Sequence, residues 1–388
     1  MKPFLIRLSD LTRSQDWRLS FVPFIMGCVY LWLSWFKIDL NFESSLLILF
    51  SLVTTIGFAA LGYLINEYFD IASDTKAGKV NRLAYVSNKV KLGLFLFSVS
   101  MALLPWLWLP HDNVTWFLIG AQFLFYLLYS LPFPRLKDVP FASNFIDAGY
   151  AYWIPLLLSH HTYALYVNSI WAAWLPLFSI AVFLVGFRNI LIHQVDDLFN
   201  DKRAGVRTLP MVIGVERVTF LMKGLLVQEV VFIVAALWYI SIATPMHFFV
   251  LVMYILSLCL LVWRLRLHFA SNYFAIESVR HITDGVNQYV LPICWLVVLG
   301  FQKPIYLIFI PIHLLFFFPR NYWQAIKNSI LSIYTIIRRL VLSLYWKIYQ
   351  ILSKYVNYLI YYFMRILGVD LVKENTSLVG YIKRKFRK

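Results

Sequence analysis

The sequence predicts an all-α protein, a polytopic transmembrane helical bundle of about nine to ten spans built from two repeated four-helix halves. Three observations carry this reading. Hydrophobic residues make up 61% of the 388 positions and charged residues only 14%, far more apolar surface than a water-soluble domain of this size needs. The apolar residues gather in successive runs of about 18 residues or more, the length at which a helix crosses a bilayer. An acidic motif also recurs at the ends of the second and sixth runs.

The runs lie at about 19–36, 45–65, 92–110, 114–131, 141–158, 171–192, 220–243, 246–263, 286–301 and 304–318. Trp and Tyr flank many of them, as amphipathic rings do at a membrane interface. The first run follows Arg13, Trp17 and Arg18 and ends without a small-x-small cleavage site, so it reads as a retained helix. The last two runs, separated by Gln302, Lys303 and Pro304, read as a tilted pair or a broken helix. Cys28, Cys259 and Cys294 all sit inside apolar segments, with no disulfide framework or zinc spacing.

Charge sets the orientation. Alternate connections carry Lys76, Lys79, Arg82, Lys89 and Lys91, then Arg135 and Lys137, then Lys202, Arg203, Arg207 and Arg217, then Arg264, Arg266 and Arg280; the opposite set holds only Lys37 and Lys303. The positive-inside rule makes the first set cytoplasmic, and the expected location is a bacterial inner membrane with the motifs and the tail on the cytoplasmic side. The net charge of +16 is concentrated in that tail, where thirteen Lys and Arg from Arg320 onward face only Asp370 and Glu374. Interleaved with Ile, Leu and Tyr, they predict an amphipathic segment lying on anionic lipid and not on nucleic acid. The expected division is a membrane domain over 1–319 and a basic membrane-associated tail over 320–388.

The repeated motif carries the chemistry. Asp70-Ile-Ala-Ser-Asp74-Thr-Lys-Ala77-Gly78 and Asp197-Leu-Phe-Asn-Asp201-Lys-Arg-Ala204-Gly205 share the pattern Asp-x-x-x-Asp-x-x-Ala-Gly. Residues four apart share a helix face, so each motif presents a carboxylate pair, with Asn66 and His193 one turn further into the membrane. Like charges this close need a cation. Oxygen ligands completed by substrate phosphates suit Mg²⁺, so two facing pairs fit metal ions held against a diphosphate. Solvated helix ends salt-bridged to Lys76, Lys202 and Arg203 would explain one motif; two copies in matching spans favour function, because acids near a membrane are costly. Lys79, Arg82, Arg207, Arg135 and Lys137 gather on the same side, as phosphate binders or as topology-setting charge. The connection between the fourth and fifth runs begins with Tyr129 and Ser130 and ends in Arg135, Leu136 and Lys137.

These residues resemble the UbiA superfamily of intramembrane prenyltransferases. Gly205-Val206-Arg207-Thr208-Leu209-Pro210 is similar to the Gly-x-x-Thr-Leu-Pro that follows the family's second acidic motif. The Tyr129–Lys137 connection resembles its Tyr-x-x-x-Lys region, and Arg13-Ser14-Gln15-Asp16-Trp17 resembles its Arg-Pro-x-x-Trp segment. The match covers roughly residues 7–300. It implies a bundle around a central cavity, in which Mg²⁺ assists ionisation of a polyprenyl diphosphate and an aromatic or lipid acceptor takes the prenyl group. By resemblance Asp70, Asp74, Asp197 and Asp201, with Asn66 and Glu67, would ligate metal. Four departures stand out: Glu67 replaces an Asp, Gln194 stands where many members carry an acid, Lys137 follows Tyr129 by eight residues, and Ser14 replaces a Pro.

Other polar residues stand in apolar runs. Asn144, Asp147, Arg188 and Asn189 either line an acceptor pocket or include a structural Asp147–Arg188 pair, and His193 orients an acceptor, acts as a base, or packs as an inert helix residue. Glu277, Arg280, His281 and Asp284 read as intrahelical ion pairs or a cap over the site. The expected substrate-binding residues are therefore Lys79, Arg82, Tyr129, Arg135, Lys137, Asp147, Arg188 and His193. The readings weighed against a transferase are a cyclase that quenches its carbocation internally, a transporter, and a non-catalytic lipid scaffold.

Overall fold

The computed structural model describes residues 10–18, 21–265 and 283–317; the basic tail and Glu277, Arg280 and His281 lie outside the described residues. Among those described, every regular element is helical. A short helix α1 (Ser14–Arg18) leads into α2 (Phe21–Trp35), α3 (Phe42–Ala77), α4 (Asn88–Leu103) and α5 (Asn113–Ser130). Among the described residues, eight helices are long and apolar enough to cross a membrane. The other two predicted runs are the fifth, which is broken, and the last, the short apolar helix Pro304–Phe317.

The solvent decides which way each helix faces. α2 is apolar all round and almost wholly buried, with Val22, Phe24, Cys28, Leu31 and Trp32 fully enclosed, as a helix surrounded by protein must be. Outer helices expose Leu92, Leu96, Phe117, Phe220, Val227 and Trp238, a surface suited to lipid chains. Close backbone approach fixes α3 against α4: a Cβ added at Gly57 would lie 2.3 Å from the Ala102 backbone nitrogen. Small residues give membrane helices this kind of contact.

α3 is longer than its apolar run. Asn41 caps it, accepting from the Ser44 N–H at 2.8 Å, and it continues for 36 residues through Asp70 and Asp74. At 1.5 Å per residue that is about 54 Å, against roughly 30 Å of hydrocarbon; the motif therefore rides on the part that outreaches the bilayer core. Gly78 ends the helix in the left-handed region (φ 73°), its N–H bonded to the Asp74 and Thr75 carbonyls. Gly205 does the same for the second motif (φ 77°). The Gly shared by the two motifs is thus a helix C-cap.

The second motif is otherwise built differently. α8 (Leu175–Asp196) stops where Asp197 takes φ −89°, ψ 4°, and α9 (Leu198–Ala204) begins. The Asp197 N–H still reaches the His193 carbonyl and the Asp201 N–H the Asp197 carbonyl, both at 2.9 Å, so the spacing of four survives the break. α10 (Leu209–Ile213) and α11 (Val215–Ala243) follow.

The fifth run is α6 (Ala142–Ala148) and α7 (Ile154–Tyr166), joined by a π-helical turn over Gly149–Trp153. A second π segment, Thr283–Val290, precedes α13 (Leu291–Gln302), which follows α12 (Phe248–Leu265) and leads to α14 (Phe309–Phe317). Each π segment ends two residues before a proline, Pro155 and Pro292. Proline has no N–H and clashes with the carbonyl four residues back, so the regular α ladder cannot run through it unchanged.

Replacing Gly57 with Val should lower the thermal unfolding midpoint in detergent, by the about 1–3 kcal/mol typical of overpacking. Gly93→Ala, with open space around its Cα, should leave the midpoint unchanged; equal behaviour of the two variants would refute the contact.

Candidate active site

The first motif is held from both flanks. A stripe of α3 at helical spacing (Ala59, Tyr63, Asn66, Asp70, Ser73, Asp74 and Ala77) faces a cavity of about 510 Å³. Asp70 accepts at Oδ1 from Lys137 Nζ and, at 3.2 Å, from Arg135 Nη2, which also reaches Ser73 Oγ at 3.3 Å. Asp74 accepts at Oδ2 from Asn81 at 2.9 Å; the same amide donates to the Glu67 carbonyl at 2.7 Å. Asn66 Oδ1 is buried on this wall without a hydrogen-bond partner.

The second motif meets the first through one lysine. Lys79, on the connection after α3, donates to Asp197 Oδ2 at 3.0 Å. Burial alone would pull the Lys79 ammonium down, but its bond to Asp197 holds it above its ordinary value. Burial likewise opposes ionisation of Asp197, and Lys79 outweighs it, holding that carboxyl below the usual range. Asp201 forms no ion pair among the described residues; burial, then the charge of Asp197, push it up to about 6. Four carboxylates from two separate helical halves therefore line one cavity, compensated unequally.

Of the predicted residues, Asn66, Asp70, Asp74, Lys79, Tyr129, Lys137, Asp147, His193, Asp197 and Asp201 line this cavity, with Asn189. Arg135 touches Asp70 without lining it. Three other predicted residues lie off this cavity. Glu67 sits beside the α3 stripe, with Oε1 3.5 Å from Arg13 and Oε2 buried without a partner. Arg82, on the short turn Arg82–Tyr85, is in electrostatic range of Glu67 and does not line the cavity. Arg188 is fully buried on the other side of α8, where Nε and Nη2 donate to Glu229 Oε2 at 2.8 and 2.6 Å. The proposed Asp147–Arg188 pair is therefore replaced: Asp147 instead accepts from the Tyr150 hydroxyl at 3.2 Å.

Several residues escaped sequence reasoning. Glu229 is a lone acid in the middle of an apolar run, which was a readable signal. Asn81 carried no such mark. Tyr63, Tyr126, Tyr150, Tyr152 and Gln288 line the cavity, as do Arg13, Gln15 and Asp16 from the segment that resembles Arg-Pro-x-x-Trp. Among the described residues no three His, Cys, Asp or Glu side chains converge as a cage for a metal ion. The all-oxygen donors of the cavity and the partnerless Asn66 Oδ1 fit Mg²⁺, which takes one or two carboxylates and leaves further positions to phosphate and water.

A membrane bundle whose two halves each deliver an acidic helix end to one chamber brings two carboxylate pairs to a single site. The chain belongs to the UbiA prenyltransferase family, whose profile matches residues 20–279. It is 28% identical over 180 residues to a digeranylgeranylglyceryl phosphate synthase of Thermococcus gammatolerans, covering 44% of this chain and 58% of that protein. A synthase of the same name from Pyrococcus horikoshii is 31% identical over 176 residues, covering 43% and 57%. The alignments thus span little more than half the length of these relatives. Two solved structures share the fold. One, a UbiA homolog from Archaeoglobus fulgidus bound to GPP and Mg²⁺, has a TM-score of 0.51 at 15% identity, covering 76% of this chain and 99% of that one. The other, an apo UbiA homolog from Aeropyrum pernix K1, has a TM-score of 0.52 at 13% identity, covering 72% and 97%.

Arg188→Met should destabilise the protein by about 3–5 kcal/mol, since it leaves the Glu229 charge buried and uncompensated. Arg188→Met with Glu229→Leu should lose much less. Thermal unfolding of the single and double variants in detergent checks this, and a double variant no better than the single would disprove the pairing.

Proposed function

We propose that this protein is a Mg²⁺-dependent membrane prenyltransferase that moves a prenyl group from a polyprenyl diphosphate to an aromatic or lipid acceptor. The observation that carries the reading is the convergence of Asp70, Asp74, Asp197 and Asp201, from two halves of the fold, on one cavity that also holds Lys79 and Lys137. A fully acidic chamber would repel a diphosphate; one with interleaved lysines fits a diphosphate together with divalent cations.

In this reading the two acidic pairs, Asp70 with Asp74 and Asp197 with Asp201, together with Asn66, would hold Mg²⁺ ions. Bound Mg²⁺ would draw charge from the diphosphate as the allylic C–O bond breaks. Lys79 and Lys137 reach the phosphate oxygens, and Arg135 keeps Asp70 in place from behind. Tyr63, Tyr126, Tyr129, Tyr150 and Tyr152 turn aromatic surface toward the prenyl carbons, a suitable lining for an allylic cation. Asp147, Asn189 and His193, on the elements facing α3, take the acceptor. The names of the archaeal relatives favour a glycerolipid acceptor over an aromatic one. The charge asymmetry of the connections supports a cytoplasmic position for the acidic end in this reading.

With purified protein in lipid nanodiscs and radiolabelled geranylgeranyl diphosphate, we expect Mg²⁺-dependent diphosphate release that EDTA abolishes. Asp70→Ala and Asp201→Ala should each reduce it at least about 100-fold. A labelled adduct identifies a transferase and a labelled hydrocarbon a cyclase; no release, with no Mg²⁺-dependent diphosphate binding, would sink the reading.

A further inference from the structure

Asp147 is a cavity carboxylate outside both acidic motifs. It sits at the end of α6, directly before the π turn, and its one hydrogen bond among the described residues comes from Tyr150 to Oδ2. Oδ1 is left without a donor. Gln288, from the second π segment, is 1% exposed and lines the same cavity, and its Oε1 is also buried without a donor. Its neighbour Asn287 is tied to Glu229 at 2.6 Å, which fixes this stretch of backbone. Asp147 on α6 and Gln288 on the second π segment thus each present an oxygen with no donor among the described residues.

Such atoms call for a ligand that brings hydrogen-bond donors. The cavity's Lys and Arg side chains do not come from these elements: Arg13 precedes α1, and Lys79 and Lys137 follow α3 and α5. An anionic group is therefore served at the acidic mouth and a neutral hydroxyl at this wall. Tyr129 connects the two regions, lying in electrostatic range of Asp147 and of Asp70 and Asp201.

We infer that the acceptor is an alcohol and that Asp147 takes its proton. This rests on the prenyltransferase reading. The hydroxyl oxygen uses a lone pair to form a bond to the prenyl C1. The bond from C1 to the diphosphate oxygen breaks, and its electrons leave with diphosphate. The hydroxyl proton passes to Asp147 Oδ1, and the product is an ether.

The test uses the full-length protein in nanodiscs with Mg²⁺, geranylgeranyl diphosphate and two probe acceptors. One is geranylgeranylglyceryl phosphate, an alcohol; the other is 4-hydroxybenzoate, which can react at ring carbon. We expect ether formation with the first. Asp147→Asn should cut its turnover at saturating alcohol by roughly 100-fold, the lower end of a general base's contribution. Mg²⁺-dependent binding of geranylgeranyl diphosphate should stay within about twofold, and Asp147→Glu should recover part of the turnover. Ether formation within about threefold of wild type in Asp147→Asn, or prenylation of ring carbon alone, overturns the inference while leaving the transferase intact. Absence of diphosphate release from the wild-type protein with either acceptor overturns the transferase reading itself.

Discussion

Four carboxylates at one end of a helical bundle repel each other, and the rest of the site is arranged around that repulsion. In a partly desolvated chamber each unpaired charge is expensive, and the fold answers with cations drawn from elsewhere in the chain. Lys137 and Arg135 come from the connection after α5 to Asp70, and Lys79 crosses from the first motif's own loop to Asp197 in the second. Asn81 closes the remaining side of Asp74 with a neutral amide. The compensation is uneven, and Asp201 is left with the least.

The same economy of charge operates deeper in the bundle with a different result. Arg188, Glu229 and Asn287 form a fully buried set on α8, α11 and the second π segment. It faces away from the cavity, and its geometry ties the helix that carries His193 and Asp197 to the wall opposite. Buried ionic groups are weak evidence for stability and better evidence for a fixed arrangement. Here the arrangement fixed is the direction from which the second motif enters the chamber.

Much of this was legible in the sequence because lipid is an unforgiving solvent. Spans follow from runs of apolar residues, and the acid pairs follow from a spacing of four on a helix. The predicted fifth run ends at about 158, just before the polar stretch Ser159, His160, His161 and Thr162. The helix goes on to Tyr166 because each is answered inside: Ser159 by Trp32 at 2.9 Å, His161 by Asp112 at 2.8 Å, Thr162 by the Leu158 carbonyl and His160 by surrounding Trp rings. Which acid takes which cation was not legible, since Arg188 meets Glu229 across 41 positions and Lys79 meets Asp197 across 118. Helical periodicity also gives no sign of a π turn, although Pro155 and Pro292 marked the places.

The π turn before Pro155 has a bearing on how the wall was assembled. A π turn carries one residue more than the α turn it replaces, and one residue is worth about 100° of helix rotation. The residues after Gly149–Trp153 therefore keep their seats against α2 and α5 while those before it are turned by more than a quarter of a circle. Asp147 and Tyr150 owe their place on the chamber wall to that offset. A loss of a single residue here would straighten the helix, keep the span, and swing the carboxylate into the neighbouring packing. One surplus residue thus lets one helix answer to two partners at once, the lipid-embedded core on one stretch and the chemistry of the chamber on the other.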